Sequence, residues 1–191
     1  MPEFLEHYDR ILFFAIHNWR SSFLDLVMPV VTNRWVWIPL YALLAFLLWK
    51  HYRWQTISIV LMAGVLITIS DQGANFVKKT TERPRPCHNT EIADKITTPA
   101  GCGGPYGFFS GHAANSMALA VFLWFFYKAT ALKKWMWLLF VWSLLVMWSR
   151  IYMGVHYPLD VLCGAVFGGL CAWGCYRLYF VLSEWVKKIL P

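Results

Sequence analysis

The chain carries little charge. Of its 191 residues only 14% are Asp, Glu, Lys or Arg, while 59% are hydrophobic and twelve are tryptophan. A soluble domain is about one-quarter charged, so this composition, with a mean hydropathy of +0.47, excludes one. The net charge is +7, yet no basic helix or stripe emerges, which argues against a nucleic-acid partner. The first ten residues, MPEFLEHYDR, contain acids and no small-residue cleavage site, so they do not read as a signal peptide. There is no internal repeat, no low-complexity tract and no metal-ligand spacing.

What the chain does have is apolar runs approaching the ~20 residues that span a bilayer as a helix. The expected fold is therefore all-α: one polytopic transmembrane bundle over 1–191, with five or six spans and an N-terminal amphipathic segment. Residues 4–20 alternate apolar and polar at helical spacing, as in a helix lying in the interface. After a second apolar piece over 21–31, Thr32-Asn33-Arg34 make a break, and residues 1–34 are either interfacial or an additional span. Spans are expected over Trp35–Trp49, Trp54–Val77, Ser110–Tyr127, Trp135–Trp148 and Pro158 to about Val181. That makes 35–181 a catalytic helical bundle and 182–191 a cytoplasmic tail. Gly164 and Gly168, at small-xxx-small spacing, suit close helix packing. The turns after the first and third spans and the C-terminus carry Lys50, Arg53, Lys128, Lys133, Lys134, Lys187 and Lys188, which makes that side cytoplasmic. The loop 79–109 and the turn 149–160 then face outward.

That outer side also carries cations, and they require another reason. Lys78 ends the second span and Arg85-Pro86 follows. Ser110, a natural N-cap, opens the third span with Gly111 and His112. Arg150, His156 and Asp160 occupy the turn into the fifth. By topology all of them lie at one membrane depth. Arginine forks suit phosphate, and a helix N-terminus is an anion site that a glycine lets a ligand approach closely. His156 can serve as nucleophile or acid/base, and Asp160, one helical turn on, can fix its tautomer and orientation. Asp71 reads as a buried partner for a neighbouring cation.

The segments Lys78…Arg85-Pro86, Phe109-Ser110-Gly111-His112 and Ser149-Arg150…His156…Asp160 resemble the three spaced motifs of the type 2 phosphatidic acid phosphatase superfamily. Phe109 stands where that family usually has proline, a position of shape rather than chemistry. The resemblance implies that His156 attacks phosphorus to give a phosphohistidine and that Asp160 orients it. His112 would protonate the leaving oxygen and then activate water. Lys78, Arg85, Ser110, Gly111 and Arg150 would hold the phosphoryl oxygens, and the family needs no metal or other cofactor. The implied enzyme is a lipid phosphate or diphosphate phosphatase of a bacterial cytoplasmic membrane, with its site facing the periplasm or exterior. Its partners would be the bilayer and a membrane lipid, with no nucleic acid and no obligate protein partner. Undecaprenyl diphosphate and lipid A phosphate are the expected substrates. Phosphatidylglycerophosphate or phosphatidic acid is the alternative, and the loop and the GGPYGFFSGHAAN stretch are similar to Bacteroidetes members. A non-enzymatic transporter of an anionic headgroup would call for charges near the midplane rather than at one face.

Cys87 and Cys102 share the outer loop and can pair there if it lies outside the cytoplasm. Cys163, Cys171 and Cys175 read as packed thiols in the fifth span. His7, His17 and His51 read as interfacial, and His88 as a loop histidine.

Overall fold

The computed structural model describes residues 2–128 and 130–189, with side chains to residue 186. Among the described residues seven α-helices follow one another: α1 Glu3–His17, α2 Ser22–Thr32, α3 Ile38–Tyr52, α4 Gln55–Thr81, α5 Gly111–Tyr127, α6 Lys133–Tyr152 and α7 Pro158–Ile189. Short 3-10 turns lie at Arg34–Trp37, Pro86–His88 and Ala93–Lys95. Among the described residues the only β pairing is an isolated bridge between Pro84 and Tyr106. The all-α expectation therefore holds.

Among the described residues three helices, α4, α6 and α7, are long and apolar enough to cross a membrane; α2 and α3, bent by 68° at their break, would add a fourth as a single span. Large apolar side chains stand exposed along them, such as Leu61, Val65, Trp137, Val141, Leu162 and Val166. Water would not tolerate that surface, and lipid does. The chain is an integral membrane protein.

The centre of the bundle is α5, which packs against α7, α6 and α4. Its sequence explains why. Ala113, Ala114, Ala118 and Ala120 are fully buried, so neighbouring backbones come close. On the facing side of α7, a Cβ at Gly164 would strike the Ser110 carbonyl and one at Gly168 the Ala114 carbonyl. This near-contact brings the start of α5 against the start of α7, where the Ser110 N–H donates to the Asp160 carbonyl at 2.9 Å. Small residues in the two helices thus position the site.

The structure corrects several boundaries. Helix α6 runs to Tyr152, which makes Arg150 part of its last turn rather than of a loop, and only residues 153–157 connect it to α7. Helix α7 continues to Ile189, through residues expected to form a tail; the side chains of Lys187 and Lys188 lie outside the described residues. Helix α1 packs against α6 and α7 and buries Asp9, Phe13 and His17 on one face. His17 is accordingly no interfacial residue. Its Nδ1 donates to the Tyr152 carbonyl at 2.9 Å, and its Nε2 accepts from the Thr97 N–H at 3.2 Å.

Candidate active site

Helices α2 to α6 enclose a cavity of about 570 Å³. One end is lined by Lys78, Arg85, Gly111, His112, Arg150 and His156; Thr32, Arg34, Asp71, Asn115 and Ser116 add further polar groups, and the remaining lining is apolar or aromatic. Arg85, His112 and Arg150 also line a second, polar cavity of about 240 Å³, walled by residues 100–103 of the loop between α4 and α5. Three cations and two histidines, distant in sequence, thus converge between an apolar and a polar space.

His156 is 2% exposed and is held at both ring nitrogens. Its Nδ1 lies 3.4 Å from Asp160 Oδ2, and its Nε2 lies 3.2 Å from Arg85 Nη1. A carboxylate only accepts and a guanidinium only donates, so the proton belongs on Nδ1 and the lone pair on Nε2. Burial, then Arg150, Arg85 and Lys78, hold the imidazole well below its ordinary pKa. These partners fit the neutral ring, with the Nε2 lone pair aimed at the cations, as a nucleophile requires.

Asp160 is fully buried behind it. Its Oδ2 also accepts from the Tyr157 N–H at 3.0 Å, which ties the carboxylate into the first turn of α7. Its Oδ1 accepts from Arg83 Nη1 at 2.5 Å. The other arm of Arg83, Nη2, donates to Asp9 Oδ2 at 2.6 Å, and Asp9 Oδ1 accepts from the Leu159 N–H at 2.8 Å. The Arg83 guanidinium lies 4.3 Å over the Tyr157 ring. Neither Arg83 nor Asp9 is among the residues the motifs point to. Each had a signal in the sequence: Arg83 alternates with Arg85 in ERPRP, and Asp9 shares the face of Phe13 and His17 at i, i+4 and i+8.

Arg85 is fixed by its loop. Its N–H donates to the Pro105 carbonyl at 3.0 Å and its Nε to the Gly104 carbonyl at 2.6 Å. A disulfide joins Cys87 to Cys102, with Cα atoms 6.1 Å apart, and closes the segment that presents Arg85. His88 donates to the Gly103 carbonyl within this loop and lines neither cavity. Arg150 donates from Nη1 to Thr32 Oγ1 at 2.5 Å, while its buried Nε has no partner among the described residues. Thr32, at the end of α2, is a third residue that motif reasoning misses.

Two site residues stand differently from expectation. Ser110 is fully buried and lines neither cavity. Its Oγ caps α5 by accepting from the Ala113 N–H, and its own N–H is taken by Asp160. Gly111, which does line the cavity, presents the helix N-terminus instead. A Cβ there would stand 3.6 Å from both Lys78 Nζ and Asp71 Oδ1, in the space an anion would use. Asp71 is not buried with a cation: it lines the cavity and accepts from Asn75 Nδ2 at 3.3 Å.

The family model of the PAP2 superfamily matches residues 54–184, and every element just described except Asp9 and Thr32 falls within that range. The chain belongs to the PAP2 superfamily. Lipid A 4'-phosphatase of Bacteroides thetaiotaomicron is 35% identical over 196 aligned residues, covering 100% of this chain and 85% of that protein. Lipid A 4'-phosphatase of Porphyromonas gingivalis is 31% identical, covering 99% of this chain and 80% of the relative. The crystal structure of the transmembrane PAP2 type phosphatidylglycerolphosphate phosphatase from Bacillus subtilis superposes with a TM-score of 0.68 at 22% identity, covering 96% of this chain and 88% of that one, a likeness of fold. As a PAP2 member the chain is a phosphatase of membrane lipids.

Proposed function

We propose that this PAP2 phosphatase hydrolyses a phosphate monoester on the sugar headgroup of a lipid A-type glycolipid, at the outer face of a bacterial cytoplasmic membrane. The observation that carries this reading is the neutral, oriented His156 at the cation-lined end of an apolar cavity. His156 Nε2 attacks phosphorus, and the bond to the lipid oxygen breaks as that oxygen takes a proton from His112. His112 then takes a proton from water, whose oxygen attacks phosphorus. The N–P bond breaks, inorganic phosphate leaves and His156 is restored. Lys78, Arg85, Arg150 and the Gly111 end of α5 hold the phosphoryl oxygens and the charge they gain in the transition state. Asp160 orients His156.

The apolar cavity suits a hydrocarbon chain. It follows α5 from His112 to Leu123, a run of about 16 Å at the helical rise of 1.5 Å per residue. Asp71 bears on the headgroup. It stands beside the phosphate cradle, where its carboxylate repels the second phosphate of a diphosphate and accepts hydrogen bonds from sugar hydroxyls. Together with the two lipid A 4'-phosphatase relatives, this favours a phosphorylated sugar over undecaprenyl diphosphate.

Five crossings complete the proposal: the bent α2–α3 pair, α4, α5, α6 and α7. Helix α5 has 17 residues, enough for about 26 Å, and is shielded by its neighbours. Lys50, Arg53, Lys128, Lys133 and Lys134 then fall on the cytoplasmic side and the site on the other.

The test is phosphate release by the purified protein in detergent. Lipid A, undecaprenyl diphosphate, phosphatidylglycerophosphate and phosphatidic acid are offered in parallel, with His156→Ala as control. Release from lipid A exceeding the others, and lost in the control, is the expected result. Faster release from undecaprenyl diphosphate would overturn the headgroup assignment.

A further inference from the structure

We propose that Asp9, on α1, is a positioning residue for the nucleophile: by sharing Arg83 with Asp160 it leaves the ion cluster behind His156 with a net negative charge and holds Asp160 in register. The inference rests on His156 being the nucleophile.

The geometry is that of one guanidinium fork between two carboxylates. Arg83 gives Nη1 to Asp160 at 2.5 Å and Nη2 to Asp9 at 2.6 Å, and its side chain is only 12% exposed. Asp9 is 4% exposed. A carboxylate so deeply buried is costly unless paired, so Asp9 is no incidental polar residue on an apolar helix face. Burial raises its carboxyl above the ordinary value, opposed by the bonds from Arg83 and from the Leu159 N–H. The charge on Asp9 therefore depends on Arg83.

Charge counting gives the reason for the arrangement. Asp9, Arg83 and Asp160 together hold one net negative charge, and that charge faces the Nδ1–H of His156. Without Asp9, Arg83 would neutralise Asp160. His156 would then be left among Lys78 and Asp71 of α4, Arg85 of the loop, His112 of α5 and Arg150 of α6, with no net negative charge behind its Nδ1–H. A ring that becomes positively charged as it attacks phosphorus needs that anion. Asp9 also accepts from the Leu159 N–H, one of the unpaired donors in the first turn of α7, and so fixes the turn that carries Asp160.

Asp9 is not needed to seat α1. His17 ties that helix to the Tyr152 carbonyl and the Thr97 N–H, and Phe13 packs edge-on to Tyr157 with ring centres 5.5 Å apart. Helix α1 lies outside the residues matched by the family model, yet it supplies a part of the catalytic machinery.

The experiment measures kcat and KM against pH for the full chain in detergent, using lipid A and, separately, p-nitrophenyl phosphate. The variants are Asp9→Asn, Asp9→Glu, Arg83→Gln, the Asp9→Asn/Arg83→Gln pair and His156→Ala, with thermal unfolding followed alongside. Asp9→Asn should lower kcat roughly ten-fold with KM unchanged, the range of a lost charged hydrogen bond. It should also move the acid limb of kcat/KM to lower pH, because the net charge facing His156 becomes more positive. Asp9→Glu should recover most of kcat. Arg83→Gln should move the acid limb the opposite way, and the double variant should be no slower than Arg83→Gln alone. A folded Asp9→Asn protein with unchanged kcat and acid limb would overturn the proposal. So would a lowered melting temperature as its only effect. If Asp9→Asn does not fold, the Arg83→Gln arm decides, and an acid limb that stays in place overturns the proposal. Activity surviving in His156→Ala would instead defeat the nucleophile assignment.

Discussion

The two ends of the helical bundle are built on opposite plans. At the end that holds the site, the outer end of the proposed topology, Asp9, Arg83, Asp160 and His156 are all at least largely buried, and each is bonded to the next. At the inner end the core is Leu44, Leu48, Ile59, Phe122, Phe126, Tyr127 and Tyr179, held by packing. There the hydroxyl of Tyr52 donates to the Phe126 carbonyl, and that of Tyr127, though buried, has no partner. Buried ion pairs contribute little net stability compared with apolar packing, because desolvation offsets attraction. The outer network serves orientation and charge, and the inner end supplies cohesion. Changes at the outer end should therefore cost turnover more than stability, and changes at the inner end the reverse.

The sharpest break in that division is His156→Ala. Phosphate release should fall by at least about a thousand-fold while the melting temperature in detergent shifts little, as for loss of a nucleophile. At the inner end, Phe122→Ala should cost about 3–5 kcal/mol of stability, the range for a fully buried aromatic. Turnover per folded molecule should stay near wild type, read by melting and activity on the same sample. Reducing the Cys87–Cys102 disulfide should remove about 3 kcal/mol in the chain-entropy model for a loop of this length. It should also lower turnover, because the loop holds Arg85. Leu119→Trp, in the apolar cavity between the two ends, should raise KM for a lipid about ten-fold and leave p-nitrophenyl phosphate hydrolysis nearly unchanged.

The smallest expected effect is on pH. His156 is held below its ordinary pKa, first by burial and then by cations, so its free base persists to lower pH than that of a free imidazole. The acid limb of kcat/KM should accordingly lie below pH 6.5. Arg85→Gln removes one of those cations, raises the histidine pKa and should move the limb upward by roughly one unit. A limb that moved down would contradict the electrostatics assigned to the outer end.

Much of the outer end was legible in the sequence, and the reason is spacing. Lys78 and Arg85, Ser110 to His112, and Arg150, His156 and Asp160 are local groups, each readable from a short stretch. Membrane topology then places the three stretches at one depth. What was missed was non-local. Arg83 meets Asp160 across 77 residues and Asp9 across 74, and Arg150 meets Thr32 across 118. No local period encodes such pairs. Asp9 was hidden further because an amphipathic helix is ordinarily credited with a solvated polar face, and its carboxylate lies on the buried one. Helix ends were misjudged where polar residues continue a helix past its apolar run, as at Arg150 in α6 and beyond Val181 in α7. The motif points Ser110 at the phosphate, and it does not reveal that the same hydroxyl caps α5 by accepting from the Ala113 N–H.

The central claim is that His156 accepts the phosphoryl group and His112 serves the steps around it. Its most direct measurement is a search for phosphohistidine by intact-protein and peptide mass spectrometry, after mixing the His112→Ala variant with p-nitrophenyl phosphate at neutral pH. That ester has a good leaving group and needs no acid, while water attack on the intermediate does need His112. A phosphoryl group is expected on the peptide containing His156, absent when His156→Ala is added. Steady hydrolysis by the His156→Ala variant, or a phosphoryl group trapped on a different residue, would contradict it.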